Sequence, residues 1–169
     1  IVFFEGNTRK HSTIWSKTIA SWQTSYTHVK ICRDTLCRWY LQDLDWWIEQ
    51  TKRLCEQHDD VVFIGRSSGG YLAVLLSSMI DTRVVACEVP QTRVDMFPKR
   101  VRELHLRGRD HLVNLRDHIN PRCEYYIYNS KNSRDIKHGY MHYQNIACYS
   151  NVHHVQRSHN WLEHVKSII

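Results

Sequence analysis

Ser67 stands between Gly65 and Gly69 in the run Val61-Val62-Phe63-Ile64-Gly65-Arg66-Ser67-Ser68-Gly69-Gly70-Tyr71-Leu72-Ala73. A serine hydroxyl attacks a carbonyl carbon only when a base takes its proton, and the Gly-x-Ser-x-Gly spacing can hold such a serine on a sharp turn from a strand into a helix. The flanking glycines have a steric reason: a side chain at either place would meet the neighbouring backbone where strand and helix pass close together. An apolar run of strand length precedes the turn, and Gly70 to Ile80 is apolar nearly all round, the pattern of a buried helix. Ser67 is therefore the candidate nucleophile.

The serine needs a base, and the base needs a carboxylate to hold its tautomer and stabilise the cation it becomes. On a parallel sheet with this elbow the acid follows a late strand and the histidine follows the last one. After the strand-like run Glu124 to Tyr128, Asp135 is the carboxylate in the polar loop that follows. After Val152 to Val155 comes Gln156-Arg157-Ser158-His159, with His159 at the start of a final helix. Ser67, Asp135 and His159 form the expected triad, in the order the elbow demands. Asp95, after the preceding strand, is the alternative acid. The oxyanion of the intermediate would be held by the backbone N–H of Ser68 and a second N–H from the loop after the first strand, for which Asn7 is the candidate.

The elements that must position these residues alternate along the chain. Strand-like runs at Ile1 to Glu5, His28 to Cys32, Val61 to Ile64, Arg83 to Val89, Glu124 to Tyr128 and Val152 to Val155 are separated by helical patterns, such as the apolar stripe Leu41, Leu44, Trp47, Ile48, Thr51, Leu54 and Cys55. Lys131 to Arg134 reads as loop and Lys137 to Cys148 as helix. This alternation predicts an α/β fold, a three-layer sandwich with a mostly parallel sheet of about six strands and helices on both faces. Residues 1–169 read as one domain without a lid. Ligand-contacting residues in such sheets lie past the carboxyl ends of the strands, where Arg33, Asp34, Trp39 and Tyr40 fall. Trp39, Tyr40, Trp46 and Trp47 read as core or groove wall.

Composition excludes several classes. No apolar run is long enough for a membrane span. The 6 cysteines are scattered singly, without Cys-x-x-Cys pairs, so they read as buried thiols of a reducing, cytoplasmic setting and not as a disulfide framework or zinc site. His138 and His142, four apart on a helix, lack a third ligand and read as surface residues, so no metal or other cofactor is expected. A net charge of +6 points to an anionic partner, and Lys99 to Arg122 is a basic segment that reads as a solvated helix face or a docking surface. No nucleic-acid-binding motif accompanies the charge. Oligomeric state is not encoded in any pattern here.

The run Ile64 to Ala73, followed by Val89-Pro90-Gln91-Thr92, resembles small lid-free α/β-hydrolase-like proteins of capsular and cell-surface polysaccharide loci. Arg33-Asp34, Trp39-Tyr40, Asp135 with His138 and the terminal His159 fall where that pattern places them. The resemblance implies an α/β-hydrolase fold, the triad Ser67, Asp135 and His159, and Arg33 and Gln91 near the pocket. Arg66 departs from it, replacing a small residue with a cation beside the nucleophile. The expected function is a serine esterase acting on an ester or acyl group, on a glycan or other anionic substrate. The alternative is a non-catalytic binding or scaffold protein that keeps the elbow as architecture.

Overall fold

The computed structural model describes residues 1–6, 14–25, 27–35, 39–128, 133–155 and 161–169, with backbone alone for 14 and 133–139. Six strands, β1 (Val2–Phe4), β2 (Lys30–Cys32), β3 (Val62–Arg66), β4 (Val84–Glu88), β5 (Glu124–Tyr128) and β6 (Val152–Val155), form one sheet in the order β2-β1-β3-β4-β5-β6. Every neighbouring pair is parallel. Between and around the strands lie α1 (Ile14–Ala20), α2 (Leu44–Cys55), α3 (Ser68–Ser77), α4 (Pro98–Leu106), α5 (Ser133–Ile146) and α6 (Trp161–Ile168), with two short 3₁₀ turns after α4.

Successive side chains on a strand point to opposite faces, and the apolar residues here divide accordingly. Phe4, Phe63, Val85, Cys87, Tyr125 and Ile127 pack with residues of α2, α3, α4 and α5. Phe3, Val62, Ile64, Val84, Ala86 and Tyr128 pack with Ile19 of α1 and Trp161, Leu162 and Val165 of α6. Both faces of the sheet are thus covered, which is why β3 and β4 read as continuous apolar runs instead of alternating ones. Every residue of α3 is buried, as its all-round apolar sequence requires. No described helix is long and apolar enough to cross a membrane.

Three sequence expectations are corrected. The polar stretch that reads as a loop before α5 is partly its first turn, since the helix begins at Ser133 and includes Asp135. His142 is fully buried, not on the helix surface. Its Nδ1 accepts the Arg93 N–H at 3.3 Å, and its carbonyl accepts the Thr92 hydroxyl at 2.9 Å, so it fastens α5 to the segment after β4. Among the described cysteines Cys32, Cys55, Cys87 and Cys123 are buried, but Cys148, just past the end of α5, is exposed.

Candidate functional site

The elbow forms because three chains of backbone converge there. A Cβ on Gly65 would stand 2.6 Å from the Gly69 carbonyl oxygen, and one on Gly70 2.8 Å from Pro90 Cα. These are distances no side chain tolerates, so the turn from β3 into α3 closes only with glycine at those points. Ser67 is placed at φ 52°, ψ −118°, outside the regions that L-residues favour. Its N–H donates to the Glu88 carbonyl at 3.0 Å, and its own carbonyl accepts the Tyr71 N–H at 3.1 Å. Strand on one side and helix on the other therefore hold the strained conformation. Val89, beside the elbow at the end of β4, also has positive φ, 49°, and its N–H donates to the Tyr128 carbonyl at 2.8 Å.

Ser67 is partly exposed and Ser68 is buried at the first position of α3. The opening N–H groups of a helix have no partner within it and carry the positive end of its dipole. A negative charge developing on a carbonyl oxygen attacked by Ser67 would be met there. On the other side of the serine lies Gly6, where a Cβ would be 3.4 Å from Ser67 Cβ and 3.0 Å from the Arg66 carbonyl oxygen.

Four charged side chains line the carboxyl edge of the sheet. Arg33 Nε donates to Glu5 Oε2, and Arg66 Nε donates to Glu88 Oε2 at 2.7 Å. The carboxylates are buried, with side chains 1% and 3% exposed, while the arginines reach solvent at 24% and 41%. The hydrogen bond that Arg33 donates to Glu5 is the main reason the Arg33 pKa stands above its usual value. Arg66, which the sequence presents as a bare cation beside the nucleophile, is thus half of an ion pair. Each arginine spends its Nε on a carboxylate, and no partner of the terminal nitrogens is found among the described residues.

Gln91, two residues past Val89, is buried, and its Oε1 has no hydrogen-bond partner among the described residues. Asp95 is exposed and takes a hydrogen bond from Arg93, which lowers its pKa. His153 is paired with Glu124 at 2.6 Å, and His154 stacks on Tyr143 with ring centroids 4.5 Å apart. Burial lowers the pKa of His154.

The structure therefore brings Ser67, Ser68, Arg33, Arg66 and Gln91 to the carboxyl ends of neighbouring strands. Asn7 and His159 lie outside the described residues, as does the side chain of Asp135. Sequence reasoning missed Glu5 and Glu88 as arginine partners. The available signal was an acidic residue at an inward position of an apolar strand, which demands a cation. No group of three or more metal-ligating side chains is found among the described residues.

No family model matches the sequence, and no curated protein does. Among solved structures, a lipase/esterase from Lactobacillus plantarum is similar over 99% of this chain and 80% of its own, with a TM-score of 0.61 at 11% identity. A capsule O-acetyltransferase of Neisseria meningitidis serogroup A is similar over 76% of this chain and 62% of its own, with a TM-score of 0.45 at 18% identity. The fold is α/β with an open parallel sheet, of the kind the esterase has.

Proposed function

We propose that the chain is a single-domain serine hydrolase that cleaves an ester or acyl group through an acyl-serine intermediate. The observation that carries this reading is the backbone of Ser67, held at φ 52°, ψ −118° between β3 and α3. A structural serine has no need of that conformation, and a nucleophile that must stand clear of the backbone does. In the proposed mechanism His159 takes the Ser67 proton as the hydroxyl attacks, and Asp135 orients the imidazole and stabilises its cation. The N–H groups of Ser68 and Asn7 hold the oxyanion. The imidazolium then protonates the leaving oxygen, and water, activated by the same histidine, releases the acyl group.

Asp135 is preferred to Asp95 because the Asp95 carboxylate is exposed and engaged by Arg93. Arg33, Arg66 and Gln91 would line the pocket, and the two guanidiniums favour a substrate with an anionic group, such as an acylated acidic glycan. The buried thiols suit a reducing compartment such as the cytoplasm.

The test is labelling with a fluorophosphonate probe, with Ser67→Ala as the comparison. Labelling of the wild type that vanishes in the folded variant is expected. A folded wild type that takes no label overturns the reading.

A further inference from the structure

Tyr40 ties three segments together beneath the site. It and Trp39 both have positive φ, 63° and 61°, an unfavourable pair for aromatic residues. The Tyr40 N–H donates to Asp34 Oδ2 at 2.9 Å. Its ring is buried, edge-on to Phe4 and Trp47. Its hydroxyl donates to the Glu5 carbonyl oxygen at 2.7 Å, with the Cys32 carbonyl oxygen 3.1 Å away. Burial raises the phenol pKa far above its ordinary value, so the hydroxyl remains a donor. Packing alone would be satisfied by phenylalanine. The hydroxyl has a separate job.

That job follows from the direction of one peptide plane. The Glu5 N–H donates to Cys32 O at 3.0 Å, toward β2. The carbonyl oxygen that Tyr40 holds lies against the elbow as well, 2.6 Å from where a Cβ on Gly69 would stand. The next residue, Gly6, lies against the Arg66 carbonyl and Ser67 Cβ. The Glu5–Gly6 peptide is thus held by Tyr40 on one side and by the elbow on the other. No hydrogen bond of the Gly6 N–H is found among the described residues.

We propose that Tyr40 is a positioning residue for the reaction at Ser67: by holding the Glu5 carbonyl, it fixes the Glu5–Gly6 peptide against the elbow that carries Ser67, and so the geometry in which the developing oxyanion is met. The proposal rests on the reading of Ser67 as a nucleophile. Its consequence is selective. A mispointed donor weakens the tetrahedral state more than the bound substrate, so kcat should fall while KM stays.

The experiment measures p-nitrophenyl acetate hydrolysis and the affinity of a trifluoromethyl ketone, which forms a tetrahedral adduct with a reactive serine. Tyr40→Phe is expected to lower kcat and ketone affinity together, by about tenfold, with KM unchanged within about twofold. Tyr125→Phe is the comparison, since its buried hydroxyl lies 2.6 Å from Ser77 Oγ, away from the elbow. It should lose stability and keep its kinetics. If Tyr40→Phe does not fold, progressive ring fluorination at position 40 alters donor strength without changing the fold, and kcat should move while KM does not.

A folded Tyr40→Phe whose constants match those of Tyr125→Phe overturns the proposal, as does a kcat indifferent to fluorination. If the wild type labels with fluorophosphonate in either case, the nucleophile reading survives and this inference alone fails. A wild type that takes no label overturns both.

Discussion

A Cβ on Gly69 would stand 2.0 Å from the carbonyl oxygen of Phe4, so the first turn of α3 rests directly on the backbone at the end of β1. The contact joins the helix that follows Ser67 to the strand whose exit borders it. Neither backbone can withdraw cheaply, because both are buried in the sheet–helix interface. Gly69→Ala should therefore destabilise the protein by about 3 kcal/mol or more, at the upper end of overpacking costs. For a chain of this length that is a fall of roughly 6–12 °C in Tm. Thermal unfolding of the variant checks this, and an unchanged Tm would show that α3 can lift from β1.

The strain at Ser67 makes an opposite prediction. Glycine adopts positive φ without the steric cost that any Cβ incurs, so Ser67→Gly should raise stability by about 1 kcal/mol while Ser67→Ala keeps the strain and stays near wild type. Urea unfolding of the three proteins separates them. Both variants should lose fluorophosphonate labelling. A Ser67→Gly protein less stable than Ser67→Ala would mean that the elbow is not a reservoir of strain.

The sheet was legible because its signals are local. Short continuous apolar runs mark β1 and β3, whose alternate residues Phe3 and Phe4, Val62 and Phe63 go to opposite faces, and β5 and β6 fall where strand-like runs predict. The elbow was legible because glycine spacing records backbone crowding. Other features depend on residues distant in the chain. His142 and Ile146 share a buried helix face, but the Thr92 hydroxyl and Arg93 N–H that meet the histidine come from about fifty positions away, with no trace in the helix itself. The polar start of α5 reads as loop because a first helical turn of polar residues and a loop share a composition. Tyr40 reads as core from its type, whereas its bond to Glu5 depends on how β1 and β2 lie together.

Buried thiols give the protein an alkaline limit. Burial pushes the pKa of Cys55 up to about 11 and those of Cys32 and Cys123 up to about 12, from 9.0. The folded values lie above the unfolded ones, so the unfolded chain loses these protons first as pH rises. Their contribution is whole below about pH 9 and is lost between there and the folded pKa values, at up to ~1.4 kcal/mol per pH unit for each thiol. Urea unfolding at pH 7, 9 and 10 should show the decline, and Cys32→Ala should lessen its slope. A slope indifferent to that substitution would exclude Cys32 from the effect. In native protein with Cys37→Ser, a disulfide reagent at pH 8 should modify Cys148 well before the buried four.

Arg66 separates a structural role from a substrate role at one residue. Its Nε holds the buried Glu88 carboxylate, so Arg66→Gln should cost about 1–3 kcal/mol by leaving that carboxylate without its cation. The terminal nitrogens, without described partners, are the part that could meet an anionic substrate. If they do, Arg66→Gln should raise KM for an ester carrying a carboxylate on its acyl chain by about fivefold, close to 1 kcal/mol, while KM for p-nitrophenyl acetate stays unchanged. Arg66→Lys should recover part of the charge effect but not the planar fork, and so bind the anionic ester at an intermediate KM. Equal changes for both esters would assign Arg66 to holding Glu88 alone, with substrate charge read elsewhere.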